Sequence, residues 1–454
     1  MPRGIEADNK LGLRPSLRCH RQRLEADCAR HRDNRASTST QGRPLPRALC
    51  MNDDTDLSLE VVILLVLGIF MLVFGFLLFK IHAGTLSYNP DSTYGLFLVI
   101  VSFQVITLGK TPFGDLRRSW ALIVIGMCTA IFGMFSCFIP GYATRFSRIF
   151  VGIVLFTGGI TLFVQLFIAR KKARTWMTAG GVLQQLTIAC TLTYIFAIVT
   201  GVITLFPGTT TDIRTAGLLI AYGLSFFYLS RCIWNVRRLF ASESVAENSR
   251  DAASKDWRAI FQEASLPLSR AILIILGILL TFLGLLLFPV NLGIIAFSPD
   301  GQLGLLLTVT AIQMMSLGET PLGQFKRSWL IITTGLLFTA LGVVSSIVPG
   351  LLTGMIQILL GLMNIAGGAL SLMKRYLPIL RETNTAGGAP GTGPPNVRKL
   401  AALQTTLNCV QLAFGASTLV PGLVPGLLMA GILVMNGLLV FMLASILSKM
   451  TAVA

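Results

Sequence analysis

The chain has 454 residues, 53% of them hydrophobic and 13% charged, with a formal net charge of +17. Soluble globular proteins carry about 25% charged residues, so this composition excludes an ordinary soluble domain. The positive balance invites a nucleic-acid reading, which its distribution along the chain removes.

Residues 1–50 hold ten arginines, one lysine, five acidic residues and no apolar run. Such a stretch cannot bury a core and is expected to be disordered. It has neither the apolar centre of a secretory signal nor the acid-poor composition of a transit peptide. Met51 opens Met51-Asn52-Asp53-Asp54-Thr55-Asp56, which runs straight into the first apolar segment and reads as the start of translation. Cys19, His20, Cys28 and His31 lack the paired spacing of a zinc site.

From there, nearly charge-free segments of membrane length recur, the signature of transmembrane helices. Membrane β-strands are only about 9–11 residues long and alternate in polarity. The chain is therefore expected to be an all-α membrane protein of twelve transmembrane helices. These fall at 59–80, 94–109, 119–139, 146–169, 177–206 and 215–235, then at 269–289, 303–318, 328–348, 353–373, 399–420 and 425–447. The domains expected are a six-helix unit over 51–235, a polar linker over 236–268 and a second six-helix unit over 269–454. Residues 382–396 read as flexible linker. Cys128, Cys137, Cys190 and Cys409 lie inside apolar segments and Cys232 ends one, which suits small apolar filler.

The loops alternate in charge. One set carries Lys110, Arg117 and Arg118, then Arg170, Lys171, Lys172 and Arg174, and continues in the same way to Lys449, 22 positive residues in all. The other set carries four, Lys80, Arg145, Arg148 and Arg214. The positive-inside rule puts the first set, and both termini, in the cytoplasm. The charge thus serves topology and anionic lipid headgroups, and no nucleic-acid partner is needed.

Residues 63–159 reappear at 272–368, a displacement of 209 without a gap, and about 35 of the pairs are identical. A fixed period of this size marks an internal duplication. Gly201 and Pro207-Gly208 match Gly415 and Pro421-Gly422 at 214, and Gly217-Leu218-Leu219 is aligned with Gly426-Leu427-Leu428, back at 209. Six segments per copy is an even number, so the two units should enter the membrane in the same direction.

Glycines stand seven apart at Gly68/Gly75, Gly126/Gly133, Gly152/Gly159, Gly277/Gly284, Gly335/Gly342 and Gly361/Gly368. Seven residues make two helical turns, so each pair lies on one face, where small residues let helices approach. The helices are expected to pair as hairpins closed by Pro140-Gly141, Pro207-Gly208, Pro349-Gly350 and Pro421-Gly422. This pattern resembles the repeated hairpins of the HdeD-type acid-resistance membrane proteins. The resemblance is carried by Gly126, Gly133, Pro140, Gly152, Gly158 and Gly159. It implies a compact helical bundle linked to envelope stress, with no catalytic residues to carry over.

One polar motif recurs. Gln104, Thr111, Pro112, Arg117 and Arg118 of the first copy correspond to Gln313, Thr320, Pro321, Lys326 and Arg327 of the second. Thr-Pro and the adjacent glycines end one helix, Ser119 or Ser328 caps the next, and the basic pair can hold lipid phosphate or form a cytoplasmic gate. Gly114-Asp115-x-Arg117-Arg118 is similar to the loop 2–3 signature of major facilitator transporters, which also have 6+6 halves. The second copy has Gln324 in place of Asp115.

No Asp, Glu, Lys or Arg sits mid-segment, where ion coupling would need one. Gln184, Gln185, Asn364, Asn408 and Gln411 join Gln104 and Gln313 as membrane-depth amides, expected mainly to bond between helices. His82 is expected alone in an outer loop. No nucleophile and base come together in the sequence, so no enzyme activity, cofactor or metal is expected. A stress-related structural membrane protein is the first expectation, and a transporter of a neutral or weakly polar solute the alternative.

Overall fold

Apolar helices in lipid associate where their backbones can approach closely, so the placement of small residues decides which helices pair. The structure, a computed structural model, describes residues 58–107, 120–141, 143–168, 177, 181–240, 268–317, 319–320, 323–324, 329–383, 395–420 and 422–453. All of them belong to one compact unit, Asp54–Ala454.

The first half holds helices α1 (Leu59–His82), α2 (Pro90–Thr107), α3 (Trp120–Phe138), α4 (Thr144–Ile168), α5 (Gly181–Leu205) and α6 (Asp212–Phe240). The second holds α7 (Leu268–Asn291), α8 (Pro299–Leu317), α9 (Trp329–Ile347), α10 (Thr353–Thr383), α11 (Pro395–Leu419) and α12 (Gly426–Val453). Eight of these helices are long and apolar enough to cross a membrane, which makes this a multi-pass helical membrane protein. Two further apolar stretches, Pro90–Ile106 and Leu122–Phe138, are shorter. Many large apolar side chains point outward, among them Ile168, Leu330 and Ile358, as lipid-facing positions do.

The one departure from all-helical structure among the described residues is a two-residue antiparallel ladder, β1 (Glu319–Thr320) and β2 (Gly323–Gln324). It pairs Glu319 with Gln324 and Thr320 with Gly323, shortly after α8 ends at Leu317.

In the first half α1 packs on α6, α2 on α3 and α4 on α5; in the second, α7 packs on α12, α8 on α9 and α10 on α11. All twelve heptad glycines lie on these contacts. A Cβ on Gly133 would sit 2.8 Å from the Gly95 carbonyl oxygen, and one on Gly342 would sit 2.6 Å from that of Gly304. Gly68 and Gly75 face α6, Gly126 faces α2, and Gly152 and Gly159 face α5. Gly277 and Gly284 face α12, Gly335 faces α8, and Gly361 and Gly368 face α11. The facing helices of the six pairs supply a second small residue in Gly95, Gly201, Gly223, Gly304, Gly415 and Gly437.

Two expectations are corrected here. The turns at Pro140-Gly141 and Pro349-Gly350 do not close tight hairpins, because α3 makes little contact with α4, and α9 little with α10. The glycine face of α3 turns instead to α2, where Gly95 receives it. The Pro-Gly turns hand the chain from one pair to the next, and their glycines adopt left-handed φ of 86° at Gly141 and 79° at Gly350.

The second correction is one of register. Gly75 meets Ala216 and Ile220, whereas Gly284 meets Ala430 and Val434. Gly223 abuts Gly68, as Gly437 abuts Gly277. The displacement between α6 and α12 is therefore 214 throughout, and Gly217 corresponds to Gly431. The five extra residues of the second half lie before α11, since Gly201 and Gly415 already stand 214 apart.

The Pro-Gly turns share one end of the bundle, tied by hydrogen bonds. Gly141 N–H donates to Asp91 Oδ2 at 2.6 Å, and the Thr353 hydroxyl donates to Asp300. His82 Nδ1 and Asp212 Oδ2, 3.0 Å apart, join α1 to α6 at the same end. At the opposite end Arg237 donates to Glu60 at 2.6 Å, and Trp234 and Trp329 meet edge to face.

The halves meet through α1, α2 and α3 on one side and α7, α8 and α9 on the other. Asn89 N–H donates to the Ile347 carbonyl at 3.0 Å, and Ser298 N–H donates to the Phe138 carbonyl at 2.8 Å. Asn89 corresponds to Ser298 and Phe138 to Ile347, so the same bond is made twice, each half donating once. Phe138, Ile139, Ile347 and Val348 beside these bonds are buried. Cys137 completes the contact by donating its Sγ–H to the Gly301 carbonyl at 3.3 Å.

Candidate functional site

Five helices of the first half leave space between them. α5 packs on α6 while α4 stands away from α1 and α6, and α2 closes one side, leaving a cavity of about 170 Å³. Its wall is mostly aliphatic and aromatic: Leu64 and Leu67 of α1, Phe97 and Val101 of α2, Leu155 of α4, Phe226 of α6. Thr193 and Tyr194 of α5 add hydroxyls to this wall, and further polar groups stand towards its ends. Glu60 and Gln104 stand towards the end where α1 begins and α2 finishes, and Tyr222 stands at the other.

Each polar group has a physical context. Glu60 is held by Arg237, bridging the neighbouring ends of α1 and α6. The Thr193 hydroxyl donates to the Ala189 carbonyl of its own helix at 2.8 Å, as membrane-depth threonines commonly do. Tyr222 is 3% exposed and packs on Phe226 with the rings tilted and their centroids 4.6 Å apart. Gly158 also lines the cavity, and a Cβ added there would meet nothing within 4 Å.

The two glutamines do not come together. Gln104 lies on the wall of this cavity, wholly within the first half. Gln313 is half-buried on α8 and lines neither this cavity nor the second one described below. Of the recurrent polar motif, Thr111, Pro112, Arg117, Arg118, Pro321, Lys326 and Arg327 lie outside the described residues, while Thr320 sits in β1. His82 is not alone: it ends α1 and bonds Asp212.

The second half has a shallower recess of about 280 Å³ at the Pro-Gly end, lined by Asn291, Gln302, Gln357 and Thr418 among others. Gln357 Nε2 donates to the Thr418 carbonyl at 2.7 Å, which uses its amide to join α10 to α11. Among the described residues no cluster of three or more His, Cys, Asp or Glu could hold a metal ion, and the cysteines are free thiols.

The structure also brings out residues that the sequence pattern did not mark. Asp91 and Asp300 tie the start of α2 and α8 to the turn and helix that follow α3 and α9. Their signal was present as an identical Pro-Asp in both copies. Next to Asp91, burial holds the Tyr88 phenol well above its ordinary pKa.

The registers of the two halves equate the cavity wall with positions in the second half. Leu155, Tyr194, Ala197 and Tyr222 correspond to Asn364, Asn408, Gln411 and Asn436. The packing frame is shared while the wall chemistry differs. No family model matches this chain, and neither does any curated protein or solved structure.

Proposed function

We propose that this chain is a non-catalytic, multi-pass protein of the plasma membrane with a structural role in envelope stress, akin to the HdeD-type proteins its hairpins resemble. Two six-helix units lie in parallel about a pseudo-twofold axis along the membrane normal. Both termini and the basic loops face the cytoplasm, where Lys and Arg engage anionic lipid headgroups. The observation that carries the reading is the seam between the halves. It is joined by reciprocal backbone bonds and lined by buried apolar side chains, and the Gln104 cavity stays within one half. An alternating-access transporter would instead place binding groups near the midplane between its repeats.

The test is acid-stress survival of cells lacking the gene, complemented by wild type or by Gln104→Leu with Gln313→Leu. Survival should be restored by both. Loss of survival with the double variant, at normal membrane abundance, would replace this reading with a transporter for a neutral solute, which the first-half cavity favours.

A further inference from the structure

The first-half cavity is a shaft. Its wall on α6 runs from Tyr222 to Ile233, and on α4 from Val154 to Leu162. At 1.5 Å per residue these stretches are about 16 and 12 Å long. The space between these walls is about 170 Å³. A compact apolar cavity of about 150 Å³ holds benzene, so the capacity here is on the order of six or seven carbon-sized groups.

Water does not suit the shaft. A buried water needs about two to four polar partners; beside Leu67, Val101, Leu155 and Phe226 the wall offers the hydroxyls of Thr193 and Tyr194, and that of Thr193 already donates to the Ala189 carbonyl. An empty shaft would forfeit the dispersion contacts of its lining on one side. Inside a bilayer the molecules at hand that have the right width and polarity are hydrocarbon chains. The polar end fits such an occupant too, because Glu60, Arg237 and Gln104 stand where a headgroup would be left behind.

Two further observations say that the space is not a packing defect. Gly158 keeps it open: its neighbour Gly159 is pressed against Ala197 and Ile198 of α5, while Gly158 touches nothing. In the second half the same helix frame packs with Asn364, Asn408, Gln411 and Asn436 at corresponding positions. The frame therefore does not require an apolar wall, and the first half has one.

We infer that the shaft between α1, α2, α4, α5 and α6 is a binding site for one hydrocarbon segment of a fatty acyl chain, about six or seven carbons long, which enters past Glu60 and Gln104. The chain could belong to a membrane phospholipid or to a free fatty acid, and recognition of the hydrocarbon is common to both. This inference is independent of the stress-related reading.

The experiment uses the full-length protein in vesicles of phosphatidylglycerol and phosphatidylethanolamine. In one arm a fraction of the phospholipid carries a diazirine near the end of its acyl chain; in the other, a diazirine fatty acid is added to unlabelled vesicles. After photolysis, labelled residues are mapped by mass spectrometry. Labels are expected on Leu67, Val101, Leu155 or Phe226, and their arm identifies the source. Gly158→Phe, which fills the shaft, should abolish these labels and leave those on lipid-facing Leu224 unchanged. Val101→Phe blocks the shaft from the opposite wall and decides the matter if Gly158→Phe does not fold. Gly217→Phe, on an exposed face with open space, should change nothing. Absence of wall labels in both arms, or wall labels that survive both filling variants, overturns the proposal.

Discussion

Glycine at a helix crossing and glycine beside open space look alike in a sequence and behave in opposite ways. At Gly133 and Gly342 an added side chain would run into the backbone of the facing helix, at Gly95 and Gly304. Leucine at either position should destabilise by about 1–3 kcal/mol, the usual cost of overpacking, and a lowered unfolding temperature in detergent would register it. Unchanged stability in both variants would mean that these faces do not carry the packing. Gly158, one residue before a crossing glycine, has open space at its Cβ instead. Hydroxyl residues are quieter. Thr129, Thr157 and Thr339 each donate to the carbonyl four residues back, satisfying themselves without a partner helix.

At the scale of elements, helix positions were largely legible from the apolar runs, because a membrane-length run admits few other structures. Which helices pair was less so. The heptad glycines marked one side of each crossing, but the partner glycines Gly95, Gly223, Gly304 and Gly437 stand outside any seven-residue pair and were not marked. The Pro-Gly turns misled for the same reason: a turn sets chain direction, while the facing small residues set contact. The third pair also hid its register, since Gly217-Leu218-Leu219 and Gly426-Leu427-Leu428 match by letter while Ala216-Gly217 and Ala430-Gly431 match by contact. The contact register makes a prediction. Gly223→Leu and Gly437→Leu should both lower thermal stability, whereas Gly217→Leu should leave it within about 0.5 kcal/mol, as surface substitutions do. A loss at Gly217 equal to that at Gly223 would restore the other alignment. The cavity had no sequence signal at all, because a wall of Leu, Val and Phe reads the same as a filled core.

For the whole molecule, the bonds at the Pro-Gly end and the ion pair at the other fix which loops share a side. Which side faces the cytoplasm rests on the distribution of Lys and Arg. Single cysteines at positions 86 and 295 should react with an impermeant maleimide added outside intact cells, and one at position 250 should not. Reaction at position 250 from outside would invert the assigned orientation.

The seam between the halves has a consequence for how the two can drift apart. Its reciprocal bonds run from main-chain N–H to main-chain carbonyl, and every residue except proline supplies both groups. Asn89 and Ser298 already differ, and so do Phe138 and Ile347, yet the bonds they make are the same. Substitution is nearly blind to such a join. One half is thus free to line its interior with tyrosine and leucine and the other with asparagine and glutamine, and neither choice loosens its hold on its twin.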